Sequence, residues 1–290
     1  MTLPRVAVAT CAQARGLDED EPLLLDALRR HGLAGQPVDW DDEAADWSSY
    51  ELVVVRSTWD YHERPAEFVA WAEAVERVTR LVNPAPVLRW NIDKAYLRDL
   101  AAAGVPVVPT VFAEPGDPAP AVEGPVVVKP AVSAGSRDTA RHDDGGSAGA
   151  LAHSRRLLDA GRAVMVQPYL RAVDEAGETA LVHIGGRPSH AMRKGPLLGD
   201  SAGDLVGGLF LEEEMSVRVP AAEELAVGEA VLAALPFDAS ALAYCRVDLL
   251  PGPDGAPLLL EVELTEPSLF LSYVPEAADR LAAHLSGLVP

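Results

Sequence analysis

Short apolar runs alternate along this chain with stretches whose apolar residues recur at helical spacing. Val6-Ala7-Val8-Ala9, within 5–10, predicts a buried strand. Residues 21–31 carry Leu24, Leu25 and Leu28 on one helical stripe and stop at Gly32. A second strand is predicted over 36–40. A third, Leu52-Val53-Val54-Val55, runs into Arg56-Ser57-Thr58-Trp59-Asp60-Tyr61. Residues 65–78 return to helical spacing with Phe68, Trp71 and Val75. Strands alternating with helices predict a parallel sheet in a small α/β lobe covering 1–90. Ligands of such sheets sit beyond the carboxyl ends of the strands, which is where 56–61 fall.

The pattern changes near Asn91. A helix over 93–103 ends at Gly104, and 105–110 reads as extended. Residues 113–124 are rich in Pro, Gly and Ala and predict a surface loop. A strand over 125–129, a polar glycine-bearing loop over 133–149, a helix over 150–160 and a strand over 163–167 complete a compact α+β unit, 91–166. The last unit, 167–290, is strand-rich. Residues 179–184 and 188–192 pair across Gly185-Gly186-Arg187. A glycine-rich stretch follows over 195–208, then a helix over 220–234, strands over 241–250 and 258–264, and a closing helix over 276–285.

Composition narrows the field. The chain has 290 residues, 49 % hydrophobic and 23 % charged, with a net charge of −20. That balance, with no basic stripe, disfavours nucleic acid as partner. No apolar run is long enough to span a membrane, so a cytoplasmic protein is expected. Cys11 and Cys245 lie in apolar stretches and read as core residues, and no zinc-type spacing of Cys and His occurs. His183 and His190 read as structural or exposed. Arginine supplies nearly all of the positive charge. The three lysines are Lys94, Lys129 and Lys194, each in or beside an otherwise apolar context. Lys129 ends the strand Val126-Val127-Val128-Lys129, where an ammonium is costly to bury without a partner. Phosphate oxygens are one such partner.

The strongest geometric expectation lies near the C-terminus. If the turn between the last two strands centres on Asp254-Gly255, Asp248 faces Glu261 and Arg246 faces Glu263. Period-two alternation then gathers the arginine and three carboxylates on one face, with leucine and valine on the other. Directly opposed like charges cost a sheet up to about 1 kcal/mol. The acids therefore either line a solvated face or hold a cation, and their oxygen-only donor set suits Mg²⁺. After Lys129, Ser133-Ala134-Gly135-Ser136 offers small residues whose backbone N–H groups can close over phosphates, although GxxxxGK[ST] is absent. Gln167-Pro168-Tyr169 leaves an apolar strand, and its backbone edge and Gln167 are candidates for reading an adenine or are simply a strand exit.

This order of features resembles the ATP-grasp superfamily: Asn91-Ile92-Asp93-Lys94 and Gly104-Val105-Pro106, then Val126 to Pro130, a small-residue loop, a hinge strand through Leu170, and a carboxylate hairpin. The resemblance spans essentially the whole chain. It implies an ATP-grasp fold, α/β and α+β, preceded by an N-terminal α/β lobe. It also implies that Lys94, Lys129, Ser133, Gly135 and Ser136 hold ATP phosphates, with Gln167, Pro168, Tyr169 and Leu170 framing the adenine and Glu178 near the ribose. Asp248, Glu261 and Glu263 match the metal positions for Mg²⁺ or Mn²⁺, with Glu263 standing where the superfamily usually has asparagine. Arg193, Lys194 and Arg246 would stabilise a transferring phosphoryl group and an acyl phosphate.

Within the superfamily, Arg56 to Tyr61, Arg193-Lys194-Gly195-Pro196-Leu197 and Glu261 to Ser268 resemble the actinobacterial group that contains the O-ureido-D-serine cyclo-ligases of cycloserine biosynthesis. The activity implied is ADP-forming activation of a small amino-acid-like carboxylate, followed by coupling to an amine-type nucleophile, with Arg56, Ser57, Trp59 and Tyr61 at the substrate. The loops over 133–149 and 195–208 are candidate lids, and similar enzymes are commonly homodimers. Two rivals are an intermolecular amino acid–amine ligase and an ATP-binding protein without turnover. A dinucleotide oxidoreductase is disfavoured, because Cys11 to Gly16 lacks the glycines that admit a pyrophosphate.

Overall fold

The computed structural model describes residues 2–196, 205–206, 210–211 and 214–289. Most of the glycine-rich stretch predicted over 195–208 lies outside the described residues. The first lobe is a four-stranded parallel sheet in the order β2-β1-β3-β4, formed by β1 (Arg5–Thr10), β2 (Ala34–Asp39), β3 (Leu52–Val55) and β4 (Arg80–Val82). Helices α1 (Asp20–Arg30), α2 (Pro65–Glu76) and α3 (Ala85–Asn91) accompany it. All four residues of β3 are buried, as a strand covered on both faces requires. The apolar stripe of α2 delivers Phe68, Ala72 and Val75 to the core it shares with Trp40 and Tyr61. Strand β4 and helix α3 are absent from the sequence expectation, being too short to declare a period.

The second sheet is antiparallel, β5-β8-β6-β7: β5 (Val111–Ala113), β6 (Val126–Pro130), β7 (Ala140–His142) and β8 (Val164–Pro168). Helix α4 (Tyr96–Ala102) precedes it, and α5 (Ala148–Asp159) is capped at its start by the Ser147 side chain accepting from Ala150 N–H. Strand β7 lies inside the predicted loop 133–149, because a three-residue edge strand leaves almost no periodic signature.

The third sheet runs β13-β10-β9-β14-β15: β9 (Glu178–Ile184), β10 (Arg187–Lys194), β13 (Met215–Arg218), β14 (Tyr244–Pro251) and β15 (Pro257–Glu263). A two-stranded pair, β11 (Leu205–Val206) and β12 (Phe210–Leu211), stands apart from it. The short α6 (Val173–Ala176) precedes β9; α7 (Ala222–Ala234) packs on β14 and β15, and α8 (Glu276–Ser286) returns to α1. Arg30 pairs with Asp279 at 2.9 Å across that contact. No helix among the described residues is long and apolar enough to cross a membrane. Cys11 and Cys245 are free and buried.

Buried polar side chains lock the first lobe onto the third sheet. Asn83 donates to the carbonyls of Tyr244 and Leu264 and accepts from Ala243 N–H. Asn91 donates to Val262 at 2.7 Å and accepts from Leu264 N–H at 2.7 Å. The Tyr96 hydroxyl bridges both backbone groups of Val262. The strand that carries the hairpin acids thus continues into a segment held by the preceding lobe. Asn91→Ala would leave the Leu264 N–H buried and unpaired and take from the Val262 carbonyl one of its two side-chain donors, Tyr96 remaining. The expected loss is about 1–3 kcal/mol of unfolding free energy, measurable as a lowered urea midpoint with an unchanged slope.

Candidate active site

A cavity of about 660 Å³ opens where the three sheets meet. Strand β6 supplies one wall by simple alternation. Val126 and Val128 enter the core under α5, so Val127 and Lys129 face the cavity. Lys129 is only 7 % exposed and makes no ion pair or hydrogen bond among the described residues. Burial pushes its ammonium below the ordinary lysine range, Glu261 opposes that shift, and Lys94 reinforces it. Lys94 donates to the Ser133 carbonyl at 3.0 Å and lies 3.6 Å from Glu261. Gly135 and Ser136 both adopt φ of 60°, curling the small-residue loop beside the two lysines. Glycine meets that conformation without strain, whereas Ser136 takes it at a cost.

The opposite wall is the β14–β15 hairpin. Arg246 pairs with Glu263 and Asp248 with Glu261, in the register expected from the sequence. Beyond them a bulge shifts the pairing, so that Leu249 faces Leu259. That bulge lets Leu260 and Glu261, neighbours in sequence, both line the cavity. One oxygen from each of Asp248, Glu261 and Glu263 lies within 4.8 Å of the others. Asp248 has no exposure; its carboxylate accepts from Arg246 Nε at 2.9 Å, Arg246 NH2 at 2.8 Å and Lys194 Nζ at 3.2 Å. Arg246 also donates to Glu263 and to the Ser268 carbonyl.

Environment separates the acids. Burial raises the pKa of Asp248, but Arg246 and Lys194 outweigh it and hold the carboxylate below its ordinary range. Glu261 is likewise penalised by burial and lowered overall by Lys94 and Lys129. Glu263 is raised to about 7, chiefly by burial, with Arg246 opposing and Glu261 adding. Glu266 is raised to about 8 by burial and by Glu263. Arg246 loses hydration, yet Asp248 and Glu263 hold its guanidinium more firmly protonated than usual.

Most of the residues singled out from sequence converge here. Lys94, Lys129, Ser133, Gly135, Ser136, Gln167, Pro168, Tyr169, Leu170, Glu178, Lys194, Arg246, Glu261, Glu263, Trp59 and Tyr61 line the cavity, with Asp248 directly beneath. Three do not line it. Arg193 and Lys194 are consecutive on β10 and cannot share a face; Lys194 turns inward to Glu178 at 2.5 Å, while Arg193 donates to the carbonyls of Glu175 and Ala176. Arg56 is buried beside Tyr244 and 3.5 Å from Asp20, and Ser57 meets the Thr10 hydroxyl at 2.8 Å. They lie outside the lining, close in sequence to Trp59 and Tyr61, which reach it. Gln167 reaches the cavity, but its amide donates to Thr110 Oγ1 at 2.9 Å. His183 is buried and His190 contacts the Leu269 carbonyl, so both are structural.

Sequence reasoning missed Glu266, Asp18, Asp20, Asn91 and Phe270, all at the cavity. Asp20 accepts from the N–H groups of Leu269 and Leu271 and so shapes the segment after β15. Its only signal was the acidic run Asp18-Glu19-Asp20-Glu21, which reads equally well as a solvated helix start.

Comparison with known proteins agrees with this geometry. Residues 6–83 match the N-terminal domain of D-cycloserine synthetase DcsG. The chain is similar to the cycloserine biosynthesis protein DcsG of Streptomyces lavendulae, 41 % identical over 97 % of both chains. The crystal structure of D-cycloserine synthetase DcsG superposes with a TM-score of 0.88 at 38 % identity, over 99 % of this chain and all of that one. A RimK-domain ATP-grasp protein of Sphaerobacter thermophilus superposes with a TM-score of 0.64 at 19 % identity, over 98 % of this chain and 99 % of that one, and shares the fold.

The raised Glu266 carboxyl carries a stability signature in the ligand-free protein. Its ordinary value is 4.5 and its folded value about 8, so the folded state holds a proton that the unfolded chain has lost. This contribution is complete at low pH and disappears as pH rises through the folded value. Melting temperature should therefore fall between about pH 5 and pH 8 more steeply for the parent than for Glu266→Gln. Parallel pH profiles for the two proteins would contradict the assignment.

Proposed function

The chain belongs to the DcsG family of ATP-grasp carboxylate–amine ligases, and from that premise we propose that it closes a ring in an amino-acid-derived substrate of the O-ureido-D-serine class. ATP's γ-phosphoryl group passes to the substrate carboxylate, forming an acyl phosphate and ADP. An amine-type nitrogen of the same molecule then displaces phosphate. Little covalent help is needed from the protein, whose work is positioning and charge stabilisation.

One observation carries this reading: Lys129, a buried ammonium facing the cavity without a protein anion bonded to it. Desolvating a lysine this way is costly unless a ligand supplies the negative charge. Phosphate oxygens do so, with Lys94 and the N–H groups of 133–136 beside it. The 167–170 segment frames the adenine through backbone groups and the Tyr169 side chain, with Glu178 near the ribose. Lys194 and Arg246 face the transferring phosphoryl group. Trp59 and Tyr61 contact the substrate.

Asp248, Glu261 and Glu263 offer three hard oxygen donors within 4.8 Å of one another, which fits Mg²⁺ and also Mn²⁺. When bound, the ion neutralises triphosphate charge and orients it. Glu263, where asparagine is usual, adds a negative charge that Arg246 offsets in the ligand-free protein. The division into lobes 1–90, 91–166 and 167–290, a cytoplasmic location and a homodimer belong to the same reading.

Lys129→Ala should lower ADP formation by about 100- to 1,000-fold while leaving the melting temperature of the ligand-free protein unchanged or higher. Turnover near the parent's would remove Lys129 from the phosphate site. Glu261→Gln should raise the Mg²⁺ concentration needed for half-maximal ADP release at least about tenfold. An unchanged metal titration would move the ion elsewhere. An ADP-release screen over amino acids and their ureido and hydroxamate derivatives, with products identified by mass, tests the substrate class.

A further inference from the structure

Building on the ligase reading above, we propose that Glu266 accepts the proton of the attacking nitrogen in the ring-closing half of the reaction. Glu266 lines the cavity together with Glu263 and Arg246, yet stands outside the three-carboxylate cluster. The other acids of this wall are engaged: Glu178 and Asp248 by Lys194, Glu261 by Lys94, Glu263 by Arg246. The Glu266 carboxylate makes no hydrogen bond or ion pair among the described residues. Its lone pairs are therefore available to a ligand.

The backbone around it is fixed. Trp59 Nε1 donates to the Glu266 carbonyl at 3.2 Å, and the Tyr244 hydroxyl donates to the Thr265 carbonyl at 2.9 Å. The Thr265 hydroxyl reaches Asn91 Oδ1 at 3.1 Å, and Pro267 follows. A carboxylate carried on a fixed backbone at the cavity and otherwise unused matches the requirement for a general base. With phosphates bound beside them, the cavity's lysines and arginine are cations with no lone pair to offer.

In the step itself, the nitrogen lone pair attacks the acyl carbon of the acyl phosphate. The carbon–nitrogen bond forms, the bond from acyl carbon to phosphate oxygen breaks, and that electron pair leaves with inorganic phosphate. The proton lost by nitrogen passes to a Glu266 carboxylate oxygen and then to water as product departs.

The test separates the two halves of the reaction. Hydroxylamine attacks acyl phosphates without a protein base and captures them as hydroxamate. In Glu266→Gln, ligated product should fall by about 100- to 10,000-fold, while hydroxamate formed with ATP and added hydroxylamine stays within about threefold of the parent. In Glu266→Ala, added formate or acetate should restore part of the product. Equal loss of product and hydroxamate, without rescue by formate or acetate, would make Glu266 a binding or structural group and overturn the proposal. Normal product formation by Glu266→Gln would overturn it as well. A parent enzyme that yields neither ADP nor hydroxamate with any carboxylate offered would instead refute the ligase reading, and this proposal with it.

Discussion

Asp248 is a carboxylate with no exposure to solvent, and the site is organised around keeping it charged. Burial alone would neutralise it. Arg246, two residues away on the same strand face, and Lys194, from a strand of the same sheet, supply the compensating hydrogen bonds. Each of these cations is shared. Arg246 also binds Glu263 and Lys194 binds Glu178, so the charges form a connected network in which no pair is independent. Removing one member would leave another buried charge unmatched, which costs far more than the lost bond itself.

Against that network stand Lys129 and Glu266, a cation and an acid that face the cavity without a bonded partner among the described residues. Their environments push them in complementary directions. Burial lowers the pKa of the lysine and raises that of the glutamate, so both are biased toward neutrality in the ligand-free protein. Anionic phosphate favours the charged lysine. The same principle lets one fold keep Asp248 and Glu261 as charged oxygen donors while reserving a carboxylate of higher proton affinity on the same wall.

The seam between lobes adds a mechanical constraint. Asn83 from the first lobe, with Asn91 and Tyr96 just after it, replaces missing strand partners for the backbone of 243–264 and so ties the strands that carry the hairpin acids to the preceding part of the chain. Cavity-lining residues come from the first lobe as well, Trp59 and Tyr61 among them. Trp59 Nε1 also donates to the Glu266 carbonyl, joining the first lobe's side of the cavity directly to the segment after β15.

The alternating strands and helices of the first lobe, the identity of the third sheet's last two strands and the facing of Asp248 with Glu261 were all legible in the sequence. Each follows from a local rule: buried runs, period-two alternation and turn residues are properties of neighbouring positions. The same rule, applied to Val126 to Lys129, would have placed Lys129 opposite the core side of its strand. Applied to Arg193 and Lys194, it would have shown that only one of them can face the cavity. Short elements such as β4 and β7 escaped, because three residues carry no readable period. Tertiary structure alone decided that Arg56 and Ser57 lie behind the cavity, that Gln167 is claimed by Thr110, and that Glu266 is left without a partner. Those outcomes depend on which side chains from distant segments arrive at the same point, and burial and hydrogen-bond competition there are set by the packed fold.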